Sequence, residues 1–165
     1  KIESGHLDLN REPIDTEGFL ADVARRHANL AARKGISVTL VSHTEGTVDA
    51  DAKRLRQVLD NYLSNAVKFS PIDGAVEVNH RFEGDTWVVE VVDHGPGLSE
   101  TDRRMVFEYF TTLSAKPTGG ENSTGLGMAI TKRIVEAHGG DVGVDHGDAG
   151  VAHGPYVSLD QGRVT

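Results

Sequence analysis

The chain has 165 residues, 38% of them hydrophobic, which is the size and content of one ordinary domain able to bury its own core. Its 25 acidic and 17 basic residues leave a formal charge of −8, which argues against a general nucleic-acid or anionic-membrane binder. There is no cysteine, hence no disulfide or thiolate chemistry, and no apolar run near the roughly 20 residues of a membrane span.

The opening KIESG lacks a Met, shows no signal peptide and reads like the middle of a longer protein. HLDLNREP (6–13) alternates Leu with polar residues, so a first strand is expected there. Thr16 is the expected N-cap of a helix carrying Phe19, Leu20, Val23, Ala24 and Leu30 at helical spacing, with Gly35 at its end. ISVTLV (36–41) reads as a strand, and TVDAD as a short extended piece with a cap at Asp49 or Asp51. A long helix follows to about Phe69, where SPIDG stops it. AVEVNHRF and TWVVEVV alternate and are joined by EGD, which predicts a hairpin. DHGPGLS is a loop and ETDRRMVFEYF a short helix. Residues 111–124 are polar, hold Lys116-Pro117 and Gly119-Gly120, and read as a mobile loop. A further helix is expected from Gly125 to His138, ended by Gly139-Gly140, before the final strands DVGV and PYVSL. An antiparallel hairpin at the centre of this order predicts α+β layers rather than a doubly wound sheet.

Three constellations carry chemistry. On the long helix Leu55, Val58, Leu59, Tyr62, Leu63, Ala66 and Phe69 form one broad apolar face. Beside it Arg54, Gln57, Asn61, Asn65 and Lys68 share a polar stripe. A solvated face explains Arg and Lys well. It explains two Asn in a helix interior less well, because Asn is a mediocre helix former. A carboxamide oxygen can bind Mg²⁺ without adding charge, and Lys68 can face phosphate as a point charge. In VVDHGPGLS, Asp93 can accept from an exocyclic amine such as that of adenine, while Gly95 and Gly97 admit a flat ring to the backbone. The same residues would serve a plain turn. In STGLGMAI (123–130), Gly125 and Gly127, with Thr124 and Leu126, open a helix whose first N–H groups could cradle phosphate. Close packing of a helix on a sheet would also use them. The loop is neither a P-loop, lacking G-K-[ST], nor a dinucleotide fingerprint.

Taken together and in this order, Asn61/Asn65/Lys68, Asp93/Gly95/Gly97 and Gly125/Gly127 resemble the N, G1 and G2 boxes of the GHKL ATP-binding superfamily. That superfamily includes sensor histidine kinases, DNA gyrase and mismatch-repair ATPases. RQVLDNYLSNAVKFSP and STGLGMAITKRIVEAHGG look like histidine kinases in particular, and VFEYF (106–110) resembles their F box. The likeness runs from Lys1 to about Val144. It implies a two-layer α/β sandwich of the GHKL (Bergerat) type: a mixed, mostly antiparallel sheet covered on one face by helices, with a mobile ATP lid.

By similarity, Asn65 would ligate Mg²⁺ on the ATP phosphates, with Asn61 nearby, Lys68 touching phosphate and Phe69 packing near adenine. Asp93 would accept from the adenine amine. Gly95, Gly97, Thr124, Gly125, Leu126 and Gly127 would line the backbone that closes on the nucleotide. Residues 111–124 would be the lid, anchored by Phe107 and Phe110. Hydrolysing members carry a water-activating Glu where this chain has Asn61, which implies that ATP is kept for transfer to a His. None of the eight His here has the H-[ED]-x-x-x-P setting of a phosphoacceptor, and His27 reads as a surface imidazole.

The implied organisation is a linker end from an upstream dimerisation and phosphoacceptor domain at 1–12, then a catalytic ATP-binding domain at 13–165. The implied cofactors are ATP and Mg²⁺. The implied partners are that upstream domain and, indirectly, a response regulator, with no nucleic acid. The isolated domain is expected to be a cytoplasmic monomer, and the parent a homodimer with or without an inner-membrane anchor. A Ser kinase of the anti-sigma type, a true ATPase and a degenerate nucleotide-binding signalling module are the other readings; the KIESG start disfavours the first and Asn61 the second.

Three features depart from the pattern. Ser123 stands where the first lid glycine is usual. TTLSAK follows the F box in place of an Arg, with Lys116 as a substitute. The tail DHGDAGVAHGPYVSLDQ does not match the usual closing hairpin. Asp145, His146, Asp148 and His153 in it follow no metal-ligand motif and read as loop residues.

Overall fold

The computed structural model describes residues 7–41, 44–93, 127–145 and 154–160. Its strands are β1 (Glu12–Asp15), β2 (Ser37–Leu40), β3 (Thr47–Ala50), β4 (Ala75–Glu83), β5 (Thr86–Asp93), β6 (Asp141–Asp145) and β7 (Gly154–Asp160). Its helices are α1 (Thr16–Ala31), α2 (Ala52–Phe69) and α3 (Gly127–Ala137). β1 and β3 make a small antiparallel ribbon, and the main sheet runs β2-β4-β5-β7-β6. Among the described strands, only β2 and β4 pair in parallel. The mixed, mostly antiparallel sheet with helices packed on it is the expected α+β arrangement.

Alternation in β4 and β5 creates the core. Val76, Val78 and His80 are buried on one side, and the register sets Val91 and Val89 opposite the last two. Val157 and Leu159 of β7 continue that face against Val89 and Trp87. Against it lies the apolar stripe of α2: Leu55, Val58, Leu59, Tyr62, Leu63 and Ala66 are all at most 3% exposed. The Tyr62 hydroxyl donates to the Tyr156 carbonyl (3.0 Å), and burial raises its pKa well above the usual phenol value. The indole N–H of Trp87 donates to Nδ1 of His80 (3.1 Å). The other nitrogen of that ring therefore carries the proton and donates to Glu17 of α1 (3.2 Å).

Several local expectations shift. The first strand lies at Glu12–Asp15, not across 6–13; residues 7–10 have no ladder, although Leu7 is buried in the core. The cap of α1 is Asp15, whose extended backbone lets its carboxylate accept from Gly18 N–H (3.2 Å). Thr16 is instead the first helical residue, fully buried, with its hydroxyl donating to the Gly46 carbonyl (3.1 Å). The buried stripe of α1 is Leu20, Val23, Ala24, His27 and Ala31, so Leu30 points outward at 69% exposure. His27 is no surface imidazole: it is 6% exposed and bonds Asp60 of α2 through Nε2 (2.8 Å).

The helix boundaries have plain causes. Asp51 caps α2 by accepting from Arg54 N–H (3.1 Å). Gly139, at φ 78°, ends α3 with its N–H on the Glu136 carbonyl and that of Gly140 on the Val135 carbonyl, a Schellman pair. Among the described residues no helix is long and apolar enough to cross a membrane.

Candidate functional site

Three chain segments that carry the site residues end at the same end of the molecule. Asn61, Asn65 and Lys68 lie half-buried along α2, with Phe69 as its last residue. Residues 70–74 then turn the chain directly into β4. Val76, at the start of β4, is the ladder partner of Asp93 at the end of β5. The carboxylate of Asp93 thus stands on the helix-covered face, in line with Val89 and Val91.

α3 joins from the other side. The Asn61 amide donates to the Thr131 hydroxyl (3.2 Å), and the N–H of Asp51, before α2, donates to His138, after α3. The two helices therefore run antiparallel. Four residues on from Asn61 is Asn65, and four back from Thr131 is Gly127, each about 6 Å further along its helix. The middle of the N box and the end of the glycine loop thus stand at one level.

The N-terminus of α3 is the part of this end that favours an anion. The first N–H groups of α3 point out of its N-terminus, a favourable place for phosphate. The C-terminus of α2 presents the opposite polarity, and the structure offsets it with a residue the sequence did not flag. Lys34, in the turn after α1, donates its ammonium to the carbonyls of Val67 (2.8 Å) and Lys68 (3.2 Å). We expect Lys34→Met to cost about 1 kcal/mol, which for a chain of this size lowers the melting temperature by roughly 3 °C. Thermal denaturation followed by circular dichroism checks this, and an unchanged midpoint would show the contact to be energetically idle.

The polar side chains at this end are the carboxamides of Asn61 and Asn65, the Asp93 carboxylate and the Lys68 ammonium. Among the described residues no group of three or more His, Cys, Asp or Glu gathers as a metal cage. A hard divalent ion held here would therefore lean on one carboxamide oxygen and on its substrate's own oxygens, which suits Mg²⁺. Asn61 is an amide engaged with Thr131, so it offers no general base.

Gly95, Gly97, Phe107, Phe110, Lys116, Ser123, Thr124, Gly125 and Leu126 lie outside the described residues, as do the lid segment, His146, Asp148 and His153. Thr131, Lys34 and His138 were missed by the sequence reading. Thr131 sits one turn after Gly127, the one local signal that it faces the same side of α3.

The chain is similar to the circadian input-output histidine kinase CikA of Synechococcus elongatus, 34% identical over 148 residues, covering 88% of this chain and 20% of that protein. It is also similar to the sensor histidine kinase WalK of Bacillus subtilis, 32% identical over 149 residues, covering 88% of this chain and 24% of WalK. It thus spans about a quarter or less of these relatives. Among solved structures, the mycobacterial sensor histidine kinase MprB superposes with a TM-score of 0.79 at 28% identity, over 90% of this chain and 97% of that one. The family described as histidine kinase-, DNA gyrase B- and HSP90-like ATPase matches residues 50–161, from the cap of α2 through β7, and the chain belongs to that family.

Proposed function

We propose that this chain is the ATP-binding catalytic domain of a sensor histidine kinase, with residues 13–165 as the catalytic unit and 1–12 as the end of a linker from a dimerisation domain. The observation that carries the reading is the meeting of Asn65, Asp93 and the start of α3 at one end of the fold. Sensor histidine kinases among its relatives support it, as does the 36% identity to full-length ShkA, whose structure holds AMPPNP. In this reading Asp93 accepts from the adenine amine and Lys68 meets phosphate. Asn65 would hold a Mg²⁺ ion, and the chemistry that ion would supply is charge neutralisation at the phosphates. Gly95, Gly97, Thr124, Gly125, Leu126 and Gly127 close the backbone on the nucleotide. Phe69 packs near the base, and Lys116 in the lid takes the place of the usual Arg.

The phosphoryl group passes to an imidazole nitrogen of a His on the dimerisation domain of the same parent protein. The bond from the γ-phosphorus to the β,γ-bridging oxygen breaks, a P–N bond forms, and ADP and the imidazole proton leave. An Asp of a response regulator is the later acceptor. An amide at Asn61 offers no base to activate water at that position, so hydrolysis is expected to be slow relative to transfer.

Incubating this chain with γ-labelled Mg·ATP and a separately made dimerisation domain should put acid-labile label on that domain. Label on Ser would point to a Ser kinase of the anti-sigma type. Failure to bind ATP at millimolar concentration would point to a degenerate signalling module.

A further inference from the structure

Three stretches far apart in the chain meet at the first turn of α2, opposite the candidate site. The Asp51 carboxylate accepts from the backbone N–H of Arg54 within α2 (3.1 Å) and from that of Asn10 in the entering segment (2.9 Å). The Asp51 N–H donates to Nε2 of His138 (3.0 Å). Nδ1 of His138 in turn donates to the Ile134 carbonyl of α3 (2.8 Å). The Arg11 guanidinium reaches the Ala137 carbonyl (3.4 Å). His138 is 3% exposed and Asp51 8%.

This geometry admits one form of the imidazole, with the proton on Nδ1 and an open lone pair on Nε2. Burial, above all, pulls the His138 pKa below its ordinary value, and the charge of Arg11 pulls the same way. The Ile134 carbonyl and the carboxylates of Asp51 and Asp49 pull against them and lose. Burial pushes the Asp51 carboxyl up, but the N–H bonds from Asn10 and Arg54 outweigh it and hold its pKa below the ordinary carboxylate value. The junction is thus a neutral ring beside a bonded carboxylate.

We propose that His138 is a positioning residue for nucleotide binding: it sets the axial register of α3 on α2 and, through Asp51, joins that register to the segment entering the domain. The proposal rests on the nucleotide-binding reading above. A hydrogen-bonded helix moves as a stiff rod, so holding the last turn of α3 also holds its first turn, at Gly127. That first turn is level with Asn65. Remove the ring acceptor and a buried N–H at Asp51 loses its partner, which α3 can relieve only by shifting or by letting water in. A shift of an ångström at the far end is enough to spoil alignment for binding and transfer. Coupling of this kind is reciprocal, so nucleotide should in turn steady the entering segment.

The test is calorimetric titration of Mg·ATP into the wild-type chain, His138→Leu and His138→Gln. Leu fills the space but accepts nothing, whereas the Gln side-chain oxygen can take the Asp51 N–H. In protein with a wild-type circular dichroism spectrum, Leu should raise Kd by at least ~5-fold and Gln should restore it to within about 2-fold. A Leu variant that binds like wild type would overturn the proposal. Should that variant fail to fold, amide exchange in the wild type decides: saturating Mg·ATP should slow exchange at Asn10 and Asp51 by ~5-fold or more, and unchanged rates would overturn it. A wild-type chain that does not bind Mg·ATP would defeat the nucleotide reading itself, a separate result.

Discussion

Asn65→Ala should abolish magnesium-dependent ATP binding while leaving the fold as stable as before, or slightly more so. Asn65 is half-buried in the body of α2, where alanine is the better helix former by up to ~0.7 kcal/mol. A residue whose only task was structural would therefore be improved by the change. The functional reading gives the opposite sign for binding. A lost metal ligand should raise the Kd for Mg·ATP by about 100-fold, or about 2.7 kcal/mol. The control is chelation: the variant with Mg²⁺ should bind like the wild type in EDTA. If Mg²⁺ improves ATP binding by the same factor in both proteins, Asn65 does not hold the metal.

Asp93→Asn tests the other end of the nucleotide. The amide keeps the size of the carboxylate, and the backbone pairing of Asp93 with Val76 does not depend on the side chain. Any change in melting temperature should be small beside the loss of ATP affinity. A hydrogen bond to a charged acceptor contributes about 1.5–3 kcal/mol, so ATP affinity should fall roughly 10- to 100-fold. Inorganic triphosphate, which has no base, should compete equally well in both proteins. Unchanged ATP affinity, or an equal loss for triphosphate, would remove Asp93 from adenine recognition.

How far the fold could be read in advance depended on how local each signal was. α2 was legible because its stripe from Leu55 to Ala66 is long, and its cap at Asp51 and stop at Ser70-Pro71 sit beside it in the chain. The β4–β5 hairpin was legible for the same reason: β4 alternates cleanly, β5 is a run rich in β-branched residues and buried on both faces, and a short turn joins them. β1 was displaced because it has four residues and only Ile14 buried, too few to show a period, while Leu7 and Leu9 mimic alternation without a partner strand. His27 was misjudged on residue type. Its spacing from Leu20, Val23 and Ala31 already placed it on the buried face, whereas Leu30, seven residues after Val23, lies at the edge of that stripe and points outward.

The site divides in the same way. Asn61, Asn65, Lys68 and Asp93 are proposed from the sequence because local motifs point to them. Lys34, Thr131 and His138 are not, because each acts on a partner remote in sequence: Lys34 on Val67 and Lys68, Thr131 on Asn61, and His138 on Asp51. An ordinary Lys, Thr or His gives no sign of such a partner until the chain is folded.

The place of β7 has a consequence for biosynthesis. Its residues, 154–160, lie inside the sheet, between β5 and β6, with Val157 and Leu159 facing the same core as Trp87 and Val89. A ribosome that has released everything up to α3 has therefore exposed a sheet with its central strand still open along one edge. The hydrophobic face under α2 cannot be sealed by what has been made so far, and pairings this distant in sequence form slowly. The nascent domain is thus expected to need chaperone cover until residue 160 has left the exit tunnel. In the reading proposed above, nucleotide capture would follow completion of that sheet.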